Sequence, residues 1–382
     1  MKERPGGSAA RAWNRALVGQ TQPTRKRPAF RREERHELRY QLSVTIATLL
    51  SWLCFLIPPP LRYGVADRLG ALFFRASHAY RANVEANVRQ VLGPEATDAD
   101  VRQTTRSIFR ASARNFIDLL TLPRRSDRYL IRSTNLVEGD WSLITDTIAA
   151  GTGVVLVTGH VGCFDFIGQS FSAHGLKLTV VTGRTTSRFI FDGVTRLRGA
   201  RGATMVEPTP GGVRNVIRAL RRGECAVFLA DRDFFQNGRE VSFFGHRTTL
   251  PPGPVRIARD TGAPMIPIFT RRARHGHELR IFPPMYVPKT KDVDADVQVG
   301  LERLVAVLEK GIGAATDQWA MFQRVWPDTP PEPVRVFPVG SPLESELLER
   351  VASHLPERKT GDGGQWLSLY ARKAGPERAP SD

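Results

Sequence analysis

The sequence predicts an α/β fold: a mixed, largely parallel sheet flanked by helices, with membrane-associating helices at the N-terminus. Three observations predict it. Short β-branched apolar runs alternate with helix-length segments between about residues 97 and 282. One run, Val154-Val155-Leu156-Val157, is apolar at every position, as a parallel strand buried on both faces requires. A stretch without charge, Gln41 to Pro60, precedes both.

The elements follow in chain order. Residues 1–39 are Arg-rich with Pro and Gly and read as a mobile basic arm. A helix over Tyr40–Ile57 would be about 27 Å long at ~1.5 Å per residue, near the lower limit for a bilayer span. Pro58-Pro59-Pro60 stops it, and no small-residue cleavage site follows. Both flanks are basic, with Arg62, Arg68, Arg75 and Arg81 on the far side, whereas a clean span carries its positive excess on one side. A single span, an interfacial or re-entrant anchor and a buried core helix all remain open. Val65 to Phe74 is a second apolar stretch that could lie on a membrane surface. Anchoring helices are thus expected over 40–82, and the main α/β domain over 83–326.

Within that domain, Thr97-Asp98-Ala99-Asp100 has the form of a capping box opening a helix to about Leu122. Helices are expected over Asp140–Ala150, from the dyad below to Ala173, over Val213–Arg222, and across Val255–Asp260 after Pro251-Pro252-Gly253-Pro254. Strands are expected at Val154–Val157, Leu176–Val181, Ala226–Ala230, Met265–Phe269 and Leu279–Phe282. From about Pro327 the Pro-, Glu-, Arg- and Gly-rich composition predicts a weakly ordered tail over 327–382.

His160 follows the buried strand after Thr158-Gly159, where open α/β sheets place ligand sites, and Asp165 comes five residues later. Such a pair can meet if His160 is in the turn and Asp165 in the first turn of the next helix. The carboxylate would then fix the imidazole tautomer while the other ring nitrogen takes a proton from a hydroxyl. The bland alternative is a loop histidine beside a carboxylate favoured by the helix dipole. Gly151-Thr152-Gly153 lacks a third glycine and precedes its strand, so it is no dinucleotide fingerprint. No Walker sequence and no G-x-S-x-G elbow exist. The hydroxyl would therefore come from substrate or water. Cys54, Cys163 and Cys225 are too widely spaced for a disulfide framework, which fits a reducing compartment, and no zinc-ligand spacing accompanies them. At 41% hydrophobic and 24% charged, the 382-residue chain is globular. Its net charge of +17 implies a polyanionic partner: nucleic acid, anionic lipid or an acidic carrier.

The segment Gly159-His160-Val161-Gly162-Cys163-Phe164-Asp165 resembles the H-x-x-x-x-D/E motif of glycerolipid acyltransferases. More specifically, Tyr40 to Trp326 resembles the bacterial lipid A biosynthesis (lauroyl/myristoyl) acyltransferases and the related phosphatidylinositol mannoside acyltransferases. The supporting blocks are 216–224, Phe228-Leu229-Ala230-Asp231-Arg232-Asp233, Val241-Ser242-Phe243-Phe244-Gly245, 252–259, 261–268 and Gln318-Trp319. Two departures stand out. The acid is Asp165 where many relatives have Glu, and Cys163-Phe164 replaces a common Asn-Trp pair.

The resemblance implies that His160, oriented by Asp165, deprotonates an acceptor hydroxyl that attacks an acyl thioester of acyl carrier protein or acyl-CoA. It implies a substrate-binding arginine among Arg184, Arg198 and Arg201, and acceptor binding by Asp231 and Asp233. One of the last two could equally serve as a turn or cap residue after the strand. It implies no metal or organic cofactor, a membrane lipid acceptor, an anionic membrane surface as partner, and the cytoplasmic face of a bacterial inner membrane. Rival readings are a lipid hydrolase using the same dyad and a basic membrane- or nucleic-acid-binding protein with a degenerate site. The chain carries no recognition-helix or aromatic RNA-binding signature, so nucleic acid is not expected.

Overall fold

The computed structural model describes residues 29–183, 187–234 and 236–326, and of 29–36 the backbone alone. Most of the basic arm, the tail and Arg184 lie outside the described residues.

Four helices come first: α1 (Ala29–Leu56), α2 (Pro59–Ala76), α3 (His78–Leu92) and α4 (Asp98–Thr121). The expected capping box opens α4: Thr97 Oγ1 accepts from Asp100 N at 3.2 Å and Asp100 Oδ2 accepts from Thr97 N at 3.0 Å. After a short 3-10 turn the chain continues as α5 (Asp127–Arg132), β1 (Thr134–Glu138), α6 (Ser142–Ala149), β2 (Val154–Thr158) and α7 (Phe164–Ala173). Then come β3 (Leu178–Val181), α8 (Arg188–Arg198), β4 (Thr204–Val206), α9 (Pro210–Arg221) and β5 (Cys225–Leu229). A hairpin of β6 (Arg239–Phe243) and β7 (His246–Leu250), then α10 (Gly253–Thr261), β8 (Met265–Arg272), β9 (His277–Ile281) and α11 (Val293–Gly313) complete the described chain.

The sheet has seven strands in the order β1-β9-β8-β2-β5-β3-β4. Only β8 and β9 pair antiparallel; the other five pairings are parallel. The mixed, largely parallel sheet is as expected. Strand β2 is central and buried at every position, with helices on both faces. Two apolar clusters cover those faces, one built on α9, α10 and α11, the other on α6 and α7.

Helix α1 is built inside out. Ser43, Ala47 and Ser51, four residues apart, are its buried face, which meets α8 at Gly193. A Cβ at Gly193 would lie 3.0 Å from Ser43 Oγ and 3.3 Å from Ala47 Cβ, so only glycine lets the two helices approach this closely. Leu42, Leu49, Leu53 and Leu56 point outward, and Leu61, Val65, Leu69 and Leu72 continue that exposed apolar surface along α2. A small polar face buried and a large apolar face exposed is the pattern of a surface that meets lipid. Among the described residues, one helical segment, Glu37–Leu56, is long and apolar enough to cross a membrane.

Candidate active site

The site forms where β2 and β5 end. These strands are parallel neighbours with Thr158 opposite Leu229. His160 and Asp231 each lie two residues beyond that last pair, so the register brings them together. His160 Nδ1 lies 2.8 Å from Asp231 Oδ1, and the His160 backbone N–H donates to Asp231 Oδ2 at 2.7 Å. Trp319, wholly buried, donates its indole N–H to the same Oδ2 at 2.8 Å. Glycine at 159 permits the approach, since a Cβ there would sit 2.9 Å from Asp231 Oδ2. Burial works against the charged form of Asp231. The His160 charge and the hydrogen bonds from His160 and Trp319 outweigh it and hold this carboxyl below the usual carboxylate range. An ionised Asp231 accepts from Nδ1–H, which leaves the Nε2 lone pair free to accept a proton.

The turn carrying His160 is clamped from three directions. Asn115 on α4 donates to Gly162 O at 2.6 Å, and Gly162 N donates to Gln318 O at 3.1 Å. Ala320 N donates to His160 O at 2.8 Å. Gly162 has φ +61°, and a Cβ there would lie 2.1 Å from Thr270 O, so no other residue fits the turn. Behind it Asp118 accepts from Tyr63 OH at 2.5 Å and from Arg272, which also bonds Asn115 Oδ1 at 3.0 Å. Cys163 is buried in this network. Burial first, and then Asp118, push its thiol well above the usual range, so it is no nucleophile.

The expected pairing of His160 with Asp165 is corrected by this geometry. Asp165 is in the first turn of α7, as expected, but it faces Arg198 of α8, with Nε to Oδ1 at 2.7 Å and Nη2 to Oδ2 at 3.4 Å. His160 instead takes the acid supplied by its neighbouring strand. His160, Asp165 and Arg198 all line one cavity of about 1200 Å³. Its walls are mainly apolar, with Phe109, Phe116, Ile167, Val213 and Phe228 among them.

The other expected binding residues separate. Arg201 is a strut: Nε donates to Asp127 at 2.9 Å, and the guanidinium also reaches Leu122 O, Arg125 O and Gln169. Asp233 accepts from Asn237 N at 3.2 Å, Gly238 N at 2.8 Å and Thr249 Oγ1 at 2.8 Å, so it holds the loop before β6. Asp231 is beneath His160, completely buried and bonded to the imidazole, and it is not part of the cavity wall. Sequence reasoning missed this pairing. The signal was available in the matching offsets of His160 and Asp231 from two strand ends. Among the described residues no three His, Cys, Asp or Glu side chains are arranged to share a metal ion.

Residues 27–327 match the model of the bacterial lipid A biosynthesis acyltransferase family. The chain belongs to that family. It is a membrane-associated lipid acyltransferase, and the family's span takes in every element from α1 to Trp326. Among its relatives is a phosphatidylinositol mannoside acyltransferase of Mycobacterium tuberculosis, 27% identical over 280 residues, which cover 72% of this chain and 86% of that protein. A second, from Mycolicibacterium smegmatis, is 26% identical over 246 residues, covering 63% and 77%.

Proposed function

We propose that the protein moves a fatty acyl chain from an acyl thioester, carried by acyl carrier protein or CoA, to a sugar hydroxyl of a membrane glycolipid. Lipid A-type acylation is the first acceptor to assay. One observation carries the reading: the free Nε2 of His160, with Nδ1 tied to a buried ionised Asp231, opens on a large apolar cavity. Nε2 takes the proton of the acceptor hydroxyl, whose oxygen bonds to the thioester carbonyl carbon. The tetrahedral intermediate then expels the sulfur, and the imidazolium returns the proton to the leaving thiolate. Asp165, held by Arg198 on the cavity wall, takes the role of binding the acceptor through its remaining lone pairs.

The apolar walls suit an acyl chain. The outward leucines of α1 and α2 suit a seat in the membrane interface. Because α1 packs along α8 and α4, a perpendicular span would drag part of the globular domain into hydrocarbon, so an interfacial seat is favoured. The basic surface and the three free cysteines agree with the cytoplasmic face of an inner membrane.

The test is transfer from radiolabelled acyl carrier protein and, separately, acyl-CoA to total membrane lipids. Transfer by the wild type and its loss in His160→Ala support the reading. Release of free fatty acid without a labelled lipid product would favour a hydrolase.

A further inference from the structure

Arg232 directly follows Asp231, yet faces the other way. Asp231 turns beneath His160, while Arg232 lines the cavity together with Phe234 and the exposed Asn237, where the wall reaches the surface. Its guanidinium stands 5.3 Å from the centre of the Phe234 ring. Among the described residues it makes no hydrogen bond or ion pair. Three other partly buried arginines around the site are answered: Arg198 by Asp165, Arg201 by Asp127 and carbonyls, Arg272 by Asp118 and Asn115. Burial lowers the pKa of Arg232, and the Asp231 charge only partly opposes this. Asp231 already has three donors of its own. A cation partly removed from water without a counterion is costly, and an arriving anion relieves that cost.

We propose that Arg232 is the binding residue for a substrate phosphate at the mouth of the catalytic cavity. The inference rests on the acyl transfer proposed above, and either substrate of such a transfer can carry the required chemistry. Thioester donors hold their sulfur on a phosphopantetheine arm, and an acceptor with a phosphorylated headgroup offers the same anion. A planar guanidinium can grip either phosphate through two parallel N–H···O bonds. At the mouth the phosphate keeps part of its hydration, while the reacting carbonyl or hydroxyl extends inward to His160.

The experiment compares the full chain with Arg232→Met, which keeps an apolar stem, and Arg232→Lys, which keeps the charge but loses the fork. Arg232 has no hydrogen bond to lose, so both variants should melt near the wild type. In steady-state transfer, Arg232→Met should raise one KM by about 10-fold or more, as for a lost charge-assisted hydrogen bond, with kcat within about threefold. Arg232→Lys should recover part of the loss. A raised donor KM assigns the phosphate to the pantetheine arm; a raised acceptor KM assigns it to the lipid headgroup. Equilibrium binding adds an arm independent of transfer, using phosphopantetheine against pantetheine and glycerophosphoinositol against inositol. The wild type should prefer one phosphorylated probe, and Arg232→Met should lose that preference. Two outcomes overturn the proposal: no phosphate preference in the wild type, or a kcat collapse with both KM values unchanged, which would place Arg232 on the reacting carbonyl oxygen. A wild type that prefers phosphate yet transfers no acyl group would sink the acyltransfer reading and leave the phosphate site standing.

Discussion

At the residue scale, the proposed mechanism gives the two carboxylates near His160 different kinds of work. Asp231→Asn should cut kcat by about 10²–10⁴-fold with the acceptor KM little changed, because an amide no longer fixes the tautomer or stabilises the imidazolium. Asp165→Asn should instead raise the acceptor KM, since that side chain is on the cavity wall and paired with Arg198. Equal loss of kcat in both variants would return Asp165 to the histidine. His277 supplies a separate pH prediction. It is stacked on Phe166 with ring centres 3.9 Å apart, and burial, aided by the Arg272 charge, lowers its pKa to about 3. The unfolded histidine titrates near 6.5, so below that pH the unfolded chain binds a proton that the folded chain refuses. Stability therefore falls as pH drops from ~6.5 toward ~3, by about 2 kcal/mol between pH 7 and 5. His277→Phe keeps the stacking and should remove that share of the acid sensitivity, measured as the difference in denaturant midpoints at the two pH values.

At the element scale, α1 explains why an apolar run was legible while its mode of attachment was not. The length and lack of charge of Gln41 to Pro60 were plain, but Ser43, Ala47 and Ser51 are an unremarkable small-residue row until α8 is placed against them through Gly193. Deleting the whole helix would strip α8 of that packing. Replacing Leu42, Leu49 and Leu53 with Ser should leave the fold unchanged, because these side chains are exposed. Vesicle binding should weaken on the order of 10²–10³-fold, given ~1.5–3 kcal/mol for each fully buried leucine and only partial burial at an interface. Undiminished binding in high salt would shift the anchor to α2. Elsewhere β2, β3, β5, β8 and β9 were legible as apolar runs. Strands β1 and β4 were not, since Thr134–Glu138 is largely exposed and Thr204–Val206 is three residues long. The β6–β7 hairpin turns through Phe244 at φ +49° and Gly245 at φ +76°, beyond what its mostly polar strands advertise.

At the scale of the whole molecule, the +17 charge called for an acidic partner without saying where it would dock. On the proposed reading, α9 is a candidate docking face. Gly212, Val213 and Val216 of this helix line the cavity, and Arg214, Arg218 and Arg221 form an exposed row along it. The neighbouring Arg222 is not part of that row: it is forked onto Glu224, with Nε to Oε1 at 2.9 Å and Nη2 to Oε2 at 2.8 Å. An acidic carrier protein docked on these three exposed arginines would present its thioester arm to the cavity beside the helix. Replacing Arg214, Arg218 and Arg221 with Ser should raise the KM for acyl carrier protein and leave kcat close to wild type, the pattern of lost uniform binding. The KM for acyl-CoA should rise less, because CoA brings only its own phosphates and no acidic protein surface to the row. Raising salt should shrink the difference between variant and wild type, since exposed charges act through attraction screened within about 8 Å at physiological ionic strength. An equal rise for both donors would move the contact from the carrier's surface to the shared pantetheine arm, and an unchanged carrier KM at low salt would leave these arginines as solvated side chains on the outer face of α9.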